Sequence, residues 1–136
     1  MILLRDRPDF IPKKEHINAT GALYIDIYNK CNAVLRGDTS TSQLYISAPR
    51  GWGKTHLCLD LMSNFSKLHM IVPTYMVMPS RNHKAYHRTH LISDVSLYNI
   101  DFVIFDEIHP FYAKKMCEWL KPKRYIVINT PKGEIK

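Results

Sequence analysis

A short apolar run, a glycine-containing loop and a helical pattern follow one another between residues 44 and 65. Leu44–Ile46 predicts a strand, and the spacing of Leu57 and Leu61 predicts a helix. The intervening loop ends in Gly-Lys-Thr. Small residues there let successive backbone N–H groups surround a phosphate at the start of the helix. This order of elements predicts an α/β fold that contains a phosphate-binding loop.

Each residue of this loop has an expected part in holding a nucleotide. Lys54 should reach the β- and γ-phosphates of ATP, and the Thr55 hydroxyl should hold Mg²⁺. The first position is Ala48, where the usual pattern has glycine. The predicted nucleotide-binding residues are Ala48, Pro49, Arg50, Gly51, Trp52, Gly53, Lys54 and Thr55.

A second apolar run ends in two acidic residues. Residues 102–105 (FVIF) predict a strand buried on both faces, and Asp106 and Glu107 follow directly. Ligands of open parallel sheets bind at the carboxyl ends of the strands. We therefore expect Asp106 to coordinate Mg²⁺ beside Thr55, and Glu107 to orient or deprotonate an attacking water. Lys54 and Glu107 are thus the predicted catalytic residues, since phosphoryl transfer depends mainly on positioning and charge neutralisation.

The remaining pattern alternates helices with strands, which predicts one domain with a mainly parallel sheet flanked by helices. A helix should run from Thr20 to a stop at Gly37. Another should begin at Pro110, with an apolar face that includes Phe111, Tyr112, Met116, Trp119 and Leu120. Residues 1–19 are interpreted as an N-terminal arm, and residues 20–136 as the domain itself.

The formal net charge of +7 favours a polyanionic partner, most often nucleic acid. The densest basic stretch is 80–90, where Arg81, Lys84 and Arg88 are candidate phosphate contacts. A solvated loop or exposed helix face explains the same stretch equally well. A metal site built from its three histidines (His83, His87 and His90) is a weaker alternative.

The cysteines and the hydropathy of the sequence indicate in which cellular compartment the protein is found. The three cysteines are scattered, which is typical of a reducing environment. No stretch is long and apolar enough to cross a membrane. We therefore expect an intracellular, cytoplasmic protein without a membrane partner.

Two motifs resemble those of superfamily 2 helicases. Residues 48–55 are similar to the helicase motif Ala-x-x-Gly-x-Gly-Lys-Thr, in which the leading alanine is usual. Residues 106–109 resemble the Asp-Glu-x-His box of the same family. The resemblance implies a Mg²⁺-binding Asp106, a catalytic Glu107, and a His109 that couples the nucleotide to the rest of the machine.

A second resemblance is to the ATPase domain of viral terminase large subunits, which package DNA. It rests on the loop around Arg50 and on residues 128–133 (INTPKG). It implies that Arg50 is a catalytic sensor of the γ-phosphate, and that the segment around Thr130 couples hydrolysis to movement. Asn129 and Thr130 should lie beside the end of the Asp106 strand, where they could sense the γ-phosphate. Both families belong to the additional-strand, catalytic-glutamate class of RecA-like P-loop ATPases.

Either family's complete motor is far longer than 136 residues. An arginine finger should therefore come from a second copy or a partner protein. The leading hypothesis is a Mg²⁺-dependent ATPase that acts on nucleic acid, either helicase-like or packaging-type. The alternatives are an ATP-binding switch or accessory subunit with weak hydrolysis, a phosphotransfer enzyme for a metabolite, and a purely structural basic protein.

Overall fold

Strands and helices alternate along the residues that the structure, a computed structural model, describes: 13–73, 79–83, 85–94 and 100–131. The elements in chain order are β1 (Lys13–Asn18), α1 (Tyr24–Arg36), β2 (Thr41–Ser47), α2 (Lys54–Asn64), β3 (Leu68–Val72), β4 (Thr89–Leu91), β5 (Phe102–Asp106), α3 (Pro110–Leu120) and β6 (Arg124–Asn129). Single 3₁₀ turns at Tyr86–Arg88 and Ile92–Asp94 flank β4. The predicted α/β class is confirmed.

All six strands of the described sheet run parallel, in the order β1-β2-β6-β5-β3-β4. Strand β6 therefore lies between β2 and β5. Its register pairs Ser47 with Asn129 on one side and Asp106 with Ile128 on the other. Because the strands are parallel, the ends of β2, β6 and β5 meet at one edge of the sheet.

Successive strand residues pack into two different cores, one on each face of the sheet. Leu44 and Ile46 of β2 belong to the core that also contains buried residues of α1 and α2. Tyr45, between them, belongs to the core that contains buried residues of α3. This alternation follows from the two-residue period of a strand. Helices on both faces explain why the central strands are apolar throughout.

Helix α1 ends where the glycine predicted it. Gly37 has a left-handed φ of 77°. Its N–H donates to the Val34 carbonyl at 3.3 Å, and the N–H of Asp38 donates to the Ala33 carbonyl at 2.9 Å, which closes the helix. Residues with a side chain rarely adopt this conformation, so glycine is favoured there. The predicted stop at Gly37 is confirmed.

A buried arginine lies beneath this helix end. Arg124, at the start of β6, is fully buried. Its Nη1 donates to the carbonyl oxygens of Val34 at 3.3 Å and Thr41 at 3.0 Å. Burial lowers its pKa, but these carbonyls supply acceptors for the charged form. Arg124 therefore ties the end of α1 to the start of β2.

The segment interpreted as an arm contributes an edge strand. Residues 13–18 pair with β2 along its length, from Lys13 with Thr41 to Asn18 with Ser47. Glu15 secures the strand, since its carboxylate accepts from the Thr41 hydroxyl at 2.8 Å and lies 3.0 Å from the Lys30 ammonium. Charged side chains are common on edge strands. For that reason β1 lacks the apolar pattern by which β2 and β5 were recognised.

Helix α3 buries a different face from the predicted one. Met116 and Leu120 are buried as expected, together with Ala113. Phe111, Tyr112 and Trp119 are exposed by 56%, 59% and 43%, so their assignment to the apolar face was wrong. In the described part of the chain, no helix combines the length and apolar character that crossing a membrane requires.

Candidate active site

The loop of residues 48–53, hereafter the 48–53 loop, joins the end of β2 to the start of α2. The buried Ala48 donates its N–H to the Asn129 carbonyl at 3.0 Å, which ties the loop to β6. Gly51 and Gly53 have φ values of 80° and 104°. An added Cβ would meet nothing within 4 Å at either position, so backbone conformation selects glycine there. The two glycines thus shape the turn that leads into α2.

Lys54 begins α2, and its side chain folds beneath the loop. The ammonium donates to the carbonyls of Ala48 at 3.1 Å and Pro49 at 3.0 Å. It also lies 3.3 Å from Glu107 Oε1, and the residue is only 8% exposed. The cation is therefore held between the 48–53 loop and the end of β5, where an anion entering the loop would meet it.

Asp106 ends β5 and is fully buried. Its Oδ2 accepts a hydrogen bond from the Thr55 hydroxyl at 2.8 Å, which confirms the predicted proximity of these two residues. Its Oδ1 has no hydrogen-bond partner among the described residues. The pKa of Asp106 is raised to about 6, mainly by burial and in part by Glu107, whereas Thr55 and Lys54 act in the opposite direction. An unsatisfied buried carboxylate oxygen is a feature that a cation would stabilise.

Glu107 has a left-handed backbone, with a φ of 61°. Its N–H donates to the Ile128 carbonyl at 2.9 Å, which fixes the turn against β6. Its Oε1 accepts from the Thr130 hydroxyl at 2.7 Å and faces the Lys54 ammonium. A non-glycine residue in this conformation is strained, and such strain is concentrated at functional sites. The turn holds the carboxylate between β6 and the 48–53 loop.

The other predicted site residues differ in their surroundings. Arg50 is exposed in the turn of the 48–53 loop. Asn129 contributes its carbonyl to the Ala48 bond, and Thr130 contributes its hydroxyl to Glu107. His109 is exposed, and its Nδ1 accepts the N–H of Phe111 at 3.1 Å. His109 therefore caps α3 directly after the acidic pair.

The three proposed nucleic-acid contacts do not form one group. Arg81 is exposed, and Lys84 lies outside the described residues. The Arg88 guanidinium donates to the carbonyls of Met62, Phe65 and Leu68 at distances of 2.9, 3.1 and 2.8 Å. These bonds bind Arg88 to the turn between α2 and β3. We therefore remove Arg88 from the predicted phosphate contacts and assign it a structural role.

The histidines of the basic stretch likewise do not assemble a metal site. His90 is paired with His69, whose Nδ1 lies 3.1 Å from His90 Nε2, and the two rings are stacked. Within the described ranges, no group of three or more His, Cys, Asp or Glu side chains could hold a metal ion. The residues beside the 48–53 loop nevertheless fit Mg²⁺. That ion prefers oxygen ligands and is usually held by one or two carboxylates together with waters and substrate phosphates. Asp106 and Thr55 offer such oxygens.

One group of residues beside the 48–53 loop was not predicted. Tyr24 packs against both Trp52 and His56, although it lies on α1, far from the loop in sequence. Only the tertiary packing of α1 against α2 brings these rings together, and no local pattern in the sequence contains that information.

Comparison with known proteins returned no matching family model, no similar curated protein and no similar solved structure. The geometry described above is therefore the basis for assigning a function.

Proposed function

We propose that this chain is a Mg²⁺-dependent P-loop ATPase with a RecA-like core, whose hydrolysis is coupled to action on nucleic acid. The observation that carries the proposal is the meeting of two distant segments at one edge of the sheet. Thr55 bonds Asp106 at 2.8 Å, and Lys54 lies 3.3 Å from Glu107. A phosphate-binding lysine, a metal-binding pair and a general base are the parts that nucleotide hydrolysis needs.

The strand order supports assignment to the additional-strand, catalytic-glutamate class of P-loop ATPases. The strand that leads into the 48–53 loop is β2, and the strand that carries the acidic pair is β5. An additional strand, β6, lies between them, in keeping with the name of the additional-strand, catalytic-glutamate ATPases. In strand direction and helix placement, the all-parallel sheet with helices on both faces is consistent with a RecA-like core.

In the proposed mechanism, Lys54 leaves the Ala48 and Pro49 carbonyls and binds the phosphates. The N–H groups of the 48–53 loop and the first turn of α2 surround the same anion. Departure of Lys54 leaves the Glu107 carboxylate bonded to Thr130. Glu107 then accepts a proton from the attacking water, at the position that Thr130 sets. The buried setting strengthens each of these electrostatic interactions.

Thr55 and Asp106 are the residues that would hold Mg²⁺, which would neutralise charge on the phosphates. The free Oδ1 of Asp106 supports this assignment, because an anionic oxygen without a partner is otherwise costly in the interior. The same carboxylate contributes to metal affinity only when ionised, so binding should improve as the pH rises through about 6 and level off above it.

The proposed nucleic-acid partner rests on charge. The chain has a net charge of +7, and Arg81 is exposed in the stretch between β3 and β4. Helicase-like and packaging-type translocation are both compatible with these observations.

The surroundings of the arginines favour an arginine finger that is supplied by another molecule. In the described part of the chain, the guanidinium groups of Arg88 and Arg124 are bound to backbone carbonyls. Arg50 is the arginine of the 48–53 loop itself. A finger from a second copy or a partner protein would complete the site, and such a group is worth orders of magnitude in rate. Without it, the chain would act as an ATP-binding switch with weak hydrolysis.

ATP hydrolysis measured across protein concentration, with and without single-stranded DNA or RNA, tests the proposal. We expect Mg²⁺-dependent turnover that rises per chain with protein concentration or with nucleic acid. Lys54→Ala should abolish it, and Lys67→Ala, which changes an exposed lysine after α2, should not. Equal turnover in the two variants would refute the proposed site. Constant turnover per chain at every concentration, with no partner present, would refute the need for a finger.

A further inference from the structure

Three aromatic rings from different elements form a cluster beside the 48–53 loop. They are Tyr24 at the start of α1, Trp52 in the loop and His56 in the first turn of α2, hereafter the aromatic cluster. The Tyr24 ring centroid lies 5.6 Å from that of Trp52 and 5.8 Å from that of His56. Tyr24 and Trp52 are half-buried, and His56 is exposed. The cluster therefore presents aromatic surface to solvent next to the proposed phosphate site.

Polar contacts with Asp60 on α2 hold two of the three rings in place. The Tyr24 hydroxyl donates to Asp60 Oδ2 at 2.5 Å, and His56 Nε2 lies 3.3 Å from the same oxygen. Burial and the Asp60 carboxylate also raise the pKa of Tyr24 well above its ordinary range, so the hydroxyl keeps its proton. Because both of these polar atoms are engaged with Asp60, Tyr24 and His56 offer a ligand mainly ring faces and edges.

The cluster lies where the far end of a nucleotide would extend. The acidic pair at the end of β5 and the Lys54 ammonium mark the position of the terminal phosphate. The remaining phosphates must follow the 48–53 loop into the first turn of α2, which contains His56 directly after Thr55. A base attached beyond them would arrive on the side of the loop where α1 begins.

We propose that the aromatic cluster is the base-binding surface of the nucleotide site, and that it holds the base by stacking without reading its edge. This inference rests on the function proposed above. Every base has a π-face, so stacking on aromatic side chains tolerates different bases. The enzyme should therefore accept purine nucleoside triphosphates as a class, with comparable affinities for ATP and GTP.

Calorimetric titrations with ATP, GTP and inorganic tripolyphosphate, each with Mg²⁺, separate stacking from phosphate binding. Trp52→Leu keeps apolar bulk but has no π-face, so it should weaken ATP and GTP about tenfold and leave tripolyphosphate unchanged. Trp52→Phe should retain most of the affinity. Trp119→Leu, at the chain's other tryptophan on α3, is the matched control and should change nothing.

Fluorescence gives a second measurement that needs no change in the cluster. In Trp119→Phe, Trp52 is the remaining tryptophan, and its emission should be quenched by ATP and GTP but not by tripolyphosphate. This holds even if Trp52→Leu proves unstable.

A failure of the proposed base site can be distinguished from a failure of the proposed ATPase function. Unchanged ATP binding in Trp52→Leu, alongside lost binding in Lys54→Ala, would overturn the base site and leave the ATPase proposal standing. Equal losses of ATP and tripolyphosphate in Trp52→Leu would also overturn it, because Trp52 would then act on the shape of the loop. If the unmodified chain bound neither ATP nor tripolyphosphate, the proposed function would fail and the base site with it.

Discussion

The buried Asp106 carboxyl should make the protein less stable at neutral pH when Mg²⁺ is absent. Burial is the main cause of its raised pKa, about 6 against an ordinary 3.8, and one of its oxygens has no partner among the described residues. Asp106→Asn removes the charge but keeps an oxygen that can accept from Thr55. We therefore expect the variant to be more stable than the unmodified chain in EDTA at pH 7.5.

The size of this loss of stability follows from the shift in the pKa of Asp106. A rise from 3.8 to about 6 is worth about 3 kcal/mol, at about 1.4 kcal/mol per tenfold change in ionisation. Because the native pKa is the higher one, the cost is absent below about pH 4, grows between pH 3.8 and 6, and is complete above that. The buried amide N–H₂ of the variant lacks a partner, which lowers the stability of Asp106→Asn by about 1–2 kcal/mol. The net gain at pH 7.5 should be about 1–2 kcal/mol.

Urea denaturation from pH 4 to pH 8 in EDTA provides the assay. The free energy of unfolding of the unmodified chain should fall across this range relative to that of Asp106→Asn. Asp101→Asn, at an exposed residue directly before the same strand, is the matched control and should follow the unmodified chain. Saturating Mg²⁺ should stabilise the unmodified chain more than Asp106→Asn. Parallel pH profiles, or an Asp106→Asn variant that is less stable in EDTA at pH 7.5, would refute this reasoning.

Four further substitutions test other contacts. Thr130→Val removes the hydroxyl bonded to Glu107 and should lower kcat about tenfold with little change in ATP affinity; an unchanged kcat in steady-state assays would count against that positioning role. Arg124→Met should lower the free energy of unfolding by about 3 kcal/mol, because two buried carbonyls lose a charged donor, and a chemical denaturation loss under 1 kcal/mol would contradict this. Arg81→Glu should weaken binding of single-stranded DNA and flatten its salt dependence, whereas Arg88→Lys should act mainly on stability. If a salt titration showed a larger loss of DNA affinity in Arg88→Lys than in Arg81→Glu, the two arginines would have been assigned wrongly.

Much of the central fold follows from local chemistry that the sequence displays. The apolar runs before Ser47 and before Asp106 form the predicted strands, because central parallel strands are buried on both faces. Gly37 ends α1 with the left-handed conformation that glycine allows. The proximity of Thr55 and Asp106 was also predictable, since parallel strands bring their carboxyl ends to one edge.

What the sequence did not reveal depends on contacts between distant residues. The edge strand β1 is stabilised by pairing with β2 and by Glu15, so its own residues lack an apolar pattern. Arg124 is buried because carbonyls from α1 and β2 surround it, although in the sequence it follows Lys121 and Lys123 in a basic segment. The packing of Tyr24 beside the 48–53 loop likewise arises only when α1 lies against α2.

Binding and turnover of ATP by Glu107→Gln, measured on the same sample with Mg²⁺, most directly test whether the acidic turn and the 48–53 loop form one hydrolytic site. Gln keeps an oxygen that can accept from Thr130 but cannot take a proton from water. We predict ATP affinity close to that of the unmodified chain and a loss of turnover of at least about a hundredfold. Glu118→Gln, on the exposed side of α3, should leave both unchanged. Turnover at the unmodified rate in Glu107→Gln would contradict the account.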